Sequence, residues 1–220
     1  MYLLDTEYAL SYQSEISAST EIHESGQNVH PNIVRYSDVL TFDHVSGGSR
    51  PTVALIMPLF SMSLQDELEA KGADVQISFN RFLDLGSQLL SAGERFEEKK
   101  LVYCDIKPEK IMLSNEKYIV IDFGAVCQTG TAGREYTQFY SLNSDILNVD
   151  SSFDLNCIIV TLAQCFMRVF IVGPRTRAGL FAEMKTYMSN NPDNAEHVEK
   201  CLACLDCNSC IEAYSRWRTM

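Results

Sequence analysis

The apolar run CIIVTLAQCFMRVFIV, residues 157–172, constrains this chain more than any other stretch. Thr161, Gln164 and Arg168 are its polar residues. It is shorter than the roughly 20 residues that a helix needs to span a bilayer. A helix that is apolar on every face has to be enclosed by protein. The chain must therefore supply other helices to wrap it. Their signals are present: the expected helices run over 153–172, near 178–188, and near 196–217. Earlier, Phe79, Phe82, Leu83, Leu89, Leu90 and Phe96 recur at three- and four-residue steps, which predicts an amphipathic helix over 79–96.

The remainder is less helical. Residues 1–29 have weak helical character. Ile33, Val34, Val39 and Leu40 suggest a turn and then a strand. The stretch 43–51, with its Gly-Gly and Pro, is a loop. TVALIMPLF, 52–60, is a second strand expected to pair with the first across that loop. A short helix is expected over 63–70, with Asp66 and Glu67 in its first turn. KIMLS and KYIVIDF predict two strands closed by a tight turn at Asn115-Glu116. From Gly124 to about Asp150 no periodicity is visible, and long irregular segments tend to be functional.

The chain has 220 residues, enough for one domain with a sizeable core. Its formal net charge is -11. Such a surface repels nucleic acid and anionic membrane, which excludes both as primary partners. The N-terminus has no basic region, and Asp5 and Glu7 interrupt its apolar residues, so it is not a signal peptide. The eight cysteines then read as reduced thiols of a cytoplasmic or nuclear protein. Cys201, Cys204, Cys207 and Cys210 are spaced at threes. Thiolates at such spacing hold zinc or an iron–sulfur cluster in some proteins. On one continuous helix they would spread around the barrel, so packing is the favoured reading.

The chemistry concentrates in YCDIKPEK, residues 103–110, and in YIVIDFG, residues 118–124. Asp105 and Asp122 are 17 residues apart, and a two-strand hairpin fills the interval. A hairpin folds back, so both carboxylates can face one cleft. Phosphoryl transfer needs that layout: one carboxylate orients a hydroxyl, a second holds Mg²⁺, and a lysine neutralises the phosphates.

These residues resemble the eukaryotic-type protein kinase family. YCDIKPEK stands where that family has His-Arg-Asp-x-Lys-Pro-x-Asn, and IDFG where it has Asp-Phe-Gly. HPNIVRY is similar to the segment after the family's αC helix, and LIMPLF to the strand and hinge that cradle adenine. The resemblance covers roughly 21–217. It implies an α+β, protein-kinase-like fold with a mostly helical C-lobe and a reduced N-lobe. The division would be 1–60 for the remnant N-lobe and 61–220 for the C-lobe. It implies ATP and Mg²⁺ as cofactors and a protein substrate or partner protein.

Residue by residue, the resemblance makes Asp105 the catalytic base and Lys107 a phosphate contact. Lysine at that place points to the Ser/Thr-directed branch. Asp122 becomes the Mg²⁺ ligand, and Met57, with Leu59 and Phe60, lies at the adenine edge. Glu21, nine residues before His30, aligns with the αC glutamate. Lys110 replaces the asparagine that holds a second metal. An ammonium about 4 Å from a divalent ion would repel it by roughly 8 kcal/mol at an effective dielectric near 20. Either one Mg²⁺ binds, with Lys110 serving the phosphates, or none does. Tyr103 and Cys104 replace the His-Arg pair.

The Gly-rich loop and the lysine-bearing β3 strand are expected to be missing, since no glycine occurs in the first twenty residues and no lysine before Lys71. No Ala-Pro-Glu follows GREYTQFYSLNSD, and CLDCNSC lacks the arginine that pairs with that glutamate. The αF aspartate is Asp150 or Asp154. Three readings follow: a minimal Ser/Thr kinase of weak activity, a pseudokinase that regulates a partner, or a product whose upstream coding sequence is missing.

Overall fold

The computed structural model describes residues 2–3, 6–23, 29–42, 52–70, 77–133, 135–142, 145–167 and 176–220. Strand β1 (Tyr2–Leu3) is followed by helix α1 (Thr6–His23) and by strands β2 (Asp38–Phe42) and β3 (Thr52–Ile56). β2 and β3 pair antiparallel from Asp38↔Ile56 to Phe42↔Thr52, as their β-branched residues predict. The loop expected between them lies outside the described residues. β3 ends before Pro58, which has no N–H to continue a ladder. One expectation is corrected: β1 pairs with the other side of β3, so this sheet has a third strand, in the order β1-β3-β2. Two residues are too few to show a periodicity in sequence.

The stretch from His30 to Val34 ties this region to the rest. Val34 N–H donates to Val120 O and Val120 N–H donates to Asn32 O, both at 2.9 Å. The Asn32 amide donates to Gln88 Oε1 at 2.6 Å and to Tyr118 O at 3.0 Å. These bonds fix the strand that leads to Asp122.

The second part begins with β4 (Met62–Ser63), α2 (Leu64–Ala70) and α3 (Phe79–Glu98). Next come β5 (Leu101–Val102), β6 (Ile111–Ser114), β7 (Lys117–Val120) and β8 (Cys127–Gln128). Strands order β4-β6-β7 in one sheet and β5-β8 in another. The β6–β7 turn is as the sequence predicts: Asn115 and Glu116 both take positive φ, 48° and 66°. That is the twist a two-residue hairpin requires.

Helices α4 (Ser151–Met167), α5 (Arg177–Asn190), α6 (Ala195–Leu205) and α7 (Cys210–Thr219) complete the chain. α4 is the enclosed helix that the apolar run demands, buried without interruption from Phe153 to Ala163. The expected continuation over 168–172 lies outside the described residues. α3 buries Phe82, Leu85, Leu89, Leu90 and Phe96 against α4 and α7. Where α3 meets α7, a Cβ on Gly86 would lie 2.1 Å from Trp217 Cζ2, so only glycine permits this approach.

The periodicity over 196–217 predicts one helix, but the structure has two. Ser209 caps α7 by accepting the Glu212 N–H at 3.2 Å. A serine that bonds the backbone of a new first turn competes with continuing the old helix. Cys201, Cys204, Cys207 and Cys210 are buried there. Their loop is served by an arginine after all. Arg177 donates to Cys207 O at 2.8 Å, Leu205 O at 3.4 Å and Asn156 Oδ1 at 2.6 Å. No described helix is long and apolar enough to cross a membrane.

Candidate active site

The site is assembled on the loop between β5 and β6. β5 is anchored antiparallel to β8, pairing Val102 with Cys127. The chain then turns through Cys104, a non-glycine residue at φ 70°. Such a conformation persists only where surroundings enforce it. Asp154 does so: its buried carboxylate accepts the N–H of Tyr103 at 2.7 Å and of Cys104 at 2.8 Å. Burial pushes the Asp154 carboxyl up to about 7, against the pull of those two N–H groups. This settles a register that sequence leaves open. Asp154 reaches the loop, whereas Asp150 bonds its own helix start through Ser152 N–H at 2.9 Å.

Tyr103 is fully buried, edge-on to Phe96 and Phe123, and its hydroxyl donates to Ile121 O. It braces the loop against the strand that carries Asp122. Beyond it, Pro108 opens a 3₁₀ turn over Pro108–Lys110. Lys110 N–H donates to Lys107 O at 2.9 Å, and Lys110 O accepts from Ile121 N–H at 3.0 Å. The two chemistry-bearing segments are thus joined by backbone next to Asp122.

Asp105 is buried and triply engaged. Its Oδ2 lies 2.9 Å from Lys107 Nζ and 2.7 Å from Lys110 Nζ. Its Oδ1 accepts from the Thr137 hydroxyl at 2.6 Å, and Thr137 Oγ1 in turn accepts from Lys107 at 2.8 Å. Burial alone would raise the Asp105 carboxyl. The bonds from Lys110, Thr137 and Lys107 outweigh it and hold the group below the usual carboxylate value. Burial would likewise lower the Lys110 ammonium, but Asp105 and Asp122 hold it above the ordinary lysine value.

Asp122 sits at φ 67° and accepts the Gly124 N–H at 3.3 Å, starting the 3₁₀ turn Phe123–Ala125. Its Oδ2 is 3.0 Å from Lys110 Nζ. The two aspartates therefore converge on one point, as the hairpin argument requires, and the convergence point is an ammonium.

A Mg²⁺ ion on Asp122 does not fit this arrangement. Oδ2 of Asp122 is already bonded to the Lys110 ammonium. An ion sharing that oxygen would face the ammonium at short range. A Mg²⁺ in the role that the resemblance implies for Asp122 would share the carboxylate with the Lys110 ammonium.

Glu21 is not brought to this cluster. It is exposed and lines a groove with Ser17, Leu101, Val126, Gln128 and Thr131. Glu15, two turns earlier on α1, comes to the site instead. It accepts Phe123 N–H at 3.3 Å and the Tyr36 hydroxyl. Burial raises the Glu15 carboxyl, opposed by the Tyr36 bond and reinforced by the Asp122 charge. Met57 and Leu59 are exposed, the latter at 98%, and Phe60 packs partly on the core. None of the three joins the ionic cluster. Thr137 could not be picked out in sequence, because it lies in a stretch without periodicity or motif.

The family model of the protein kinase domain matches residues 6–143, more than half the chain. The MAPK/MAK/MRK overlapping kinase of Homo sapiens is 27% identical over 114 residues, 52% of this chain and 25% of that protein. The serine/threonine-protein kinase prpf4B of Dictyostelium discoideum is 25% identical over 134 residues, 58% of this chain and 16% of that protein. The dual specificity protein kinase YAK1 of Saccharomyces cerevisiae is 28% identical over 123 residues, 50% of this chain and 15% of that protein. The chain spans at most about a quarter of the length of these relatives. With the family model matching across both the helix of Glu15 and the loop of Asp105, the chain belongs to the eukaryotic-type protein kinase family.

Proposed function

We propose that this chain is a protein kinase-like domain that binds ATP in the crevice shared by Asp105 and Asp122. Phosphoryl transfer to Ser/Thr hydroxyls of a protein substrate is its class activity, and it runs slowly here. The observation that carries this reading is the engagement of Asp105 by Lys107 and Thr137 together. A carboxylate held ionised beside a hydroxyl and an ammonium is equipped to accept a hydroxyl proton next to a phosphate. Asp105 acts as the base, Lys107 and Lys110 contact the phosphates, and Asp122 holds Lys110 in place.

On this reading residues 1–60 form the reduced N-lobe and 61–220 the helical C-lobe. The backbone of 57–60 borders adenine. Eight free thiols fit a reducing compartment, the cytoplasm or nucleus.

A second reading, a pseudokinase that regulates a partner protein without catalysis, is favoured by Lys110. The ammonium occupies the place where the family's phosphate chemistry uses a metal. Labelled-phosphate transfer from ATP to a mixture of Ser/Thr peptides separates the two. Slow incorporation by the wild type, reduced at least about 100-fold by Asp105→Asn, supports the enzyme. Equal incorporation by both proteins leaves the regulatory reading.

A further inference from the structure

Lys110 is held through both its backbone and its side chain. Its N–H and its carbonyl are both bonded, to Lys107 O at 2.9 Å and to Ile121 N–H at 3.0 Å. Its side chain is 16% exposed, and Nζ reaches Asp105 at 2.7 Å and Asp122 at 3.0 Å. An ammonium carries three donors. The two carboxylates take two of them, and one remains for an acceptor entering the crevice.

Within the ion pairs the charges balance before any ion arrives, with Glu15 a further acidic group beside Phe123. Lys107 and Lys110 offset Asp105 and Asp122. A divalent cation on Asp122 would either displace Lys110 from Oδ2 or share the carboxylate with it, and in both cases it would lie near the ammonium. A polyphosphate meets two ammonium groups whose carboxylate partners are already neutralised. Such an arrangement discriminates against the cation and not against the anion.

We infer that the Lys110 ammonium is a tethered replacement for the divalent cation, so that the crevice takes a nucleoside triphosphate with no metal ion on Asp122. This rests on the nucleotide-binding reading above and specifies how that binding is achieved. The neutral asparagine found at this position in the family would undo it. Lys110→Asn removes the competing cation and leaves Asp122 free to hold an ion.

Two measurements on the full chain test the inference. The first is titration with ATP in excess MgCl₂ and again in EDTA, followed by thermal unfolding. The second is titration with Mn²⁺ alone, read by water-proton relaxation. Wild-type affinity for ATP should differ by less than about fivefold between Mg²⁺ and EDTA, and Mn²⁺ should not bind at millimolar concentration. Lys110→Asn should bind Mn²⁺ and should hold ATP at least about tenfold more tightly with Mg²⁺ than with EDTA. A wild type that loses more than fivefold in EDTA, or that binds Mn²⁺, overturns the tethered-cation inference and leaves nucleotide binding standing. Absence of ATP binding by the wild type in both buffers overturns the nucleotide reading and this inference with it. The wild-type measurements decide the matter even if the variant does not fold.

Discussion

The ammonium of Lys110 bonds Oδ2 of Asp105 at 2.7 Å and Oδ2 of Asp122 at 3.0 Å. One lysine thus links the loop after β5 to the strand end after β7. The link is ionic, largely shielded from water, and backed by the backbone bond between Ile121 and Lys110. The centre of the site is therefore part of what holds the fold together.

Asp105→Asn should for that reason be destabilising as well as inactivating. It leaves Lys107 and Lys110 close together with Asp122 as the remaining carboxylate of the cluster. Stranding a buried charge costs about 3–5 kcal/mol, and the partial exposure of both lysines reduces this to about 2–4 kcal/mol. Urea unfolding at pH 7 measures it. A loss under about 0.5 kcal/mol would show that the ion cluster contributes little to the fold.

Gly86→Ala should disrupt the packing of α3 on α7. The added methyl would lie 2.1 Å from Trp217 Cζ2 and 2.6 Å from Cη2. The indole is rigid and tied to Leu83 O by its N–H at 3.2 Å, so it cannot move aside without losing that bond. Overpacking of this kind costs roughly 1–3 kcal/mol. Trp217 is the chain's single tryptophan and is buried, so its emission reads the change directly. A red shift with a lower melting temperature is expected; an unchanged spectrum would mean that the two helices tolerate the methyl.

Arg177→Met should loosen the junction of α6 and α7. The guanidinium serves Asn156 Oδ1 and the carbonyls of Leu205 and Cys207, and methionine serves none of them. The carbonyls of Leu205 and Cys207, left without this donor away from water, cost about 1–3 kcal/mol each, less where water can replace it. The neighbouring thiols provide the readout. Cys204 and Cys207 are buried in the wild type and should react with a thiol reagent at least about tenfold faster in the variant. Equal reaction rates would contradict the assignment of Arg177 as the brace of this loop.

Stability should also fall in mild acid because of His30. Burial, and then the charge of Arg95, bring its imidazole down to about 4. Its Nδ1 accepts Asn32 N–H at 3.2 Å and therefore cannot carry a proton without losing that bond. The unfolded chain binds a proton below about 6.5, while the folded one resists until about 4. The contribution of His30 is thus complete above pH 6.5, is lost as pH falls to 4, and is flat below. With allowance for partial exposure the loss is on the order of 2 kcal/mol. In denaturant titrations the stability advantage of the wild type over His30→Asn should shrink across that window. A constant difference would show that His30 protonates normally in the folded state.

Much of this fold was legible because it depends on local patterns. The apolar run could only be an enclosed helix, and α4 is that helix. Asn115-Glu116 could close a tight hairpin by its length, and the hairpin carries Asp105 and Asp122 to one place. The break between α6 and α7 was less legible, because the apolar spacing runs through it while a single serine cap sets the new start. β1 was not legible, since its two residues gain their conformation from pairing with β3.

The sequence by itself determined the helical body, the hairpin and the residue types that define a phosphate-handling site, because periodicity and turn length act over a few neighbouring residues. Only the tertiary structure decided which charges meet. It brought Glu15 rather than Glu21 to Phe123, joined Thr137 to Asp105, chose Asp154 over Asp150, and placed the Lys110 ammonium between the two aspartates. The contacts of Glu15, Thr137 and Asp154 span 108, 32 and 51 residues along the chain, and the energy of the Lys110 pairs depends on distance in space, which no spacing encodes.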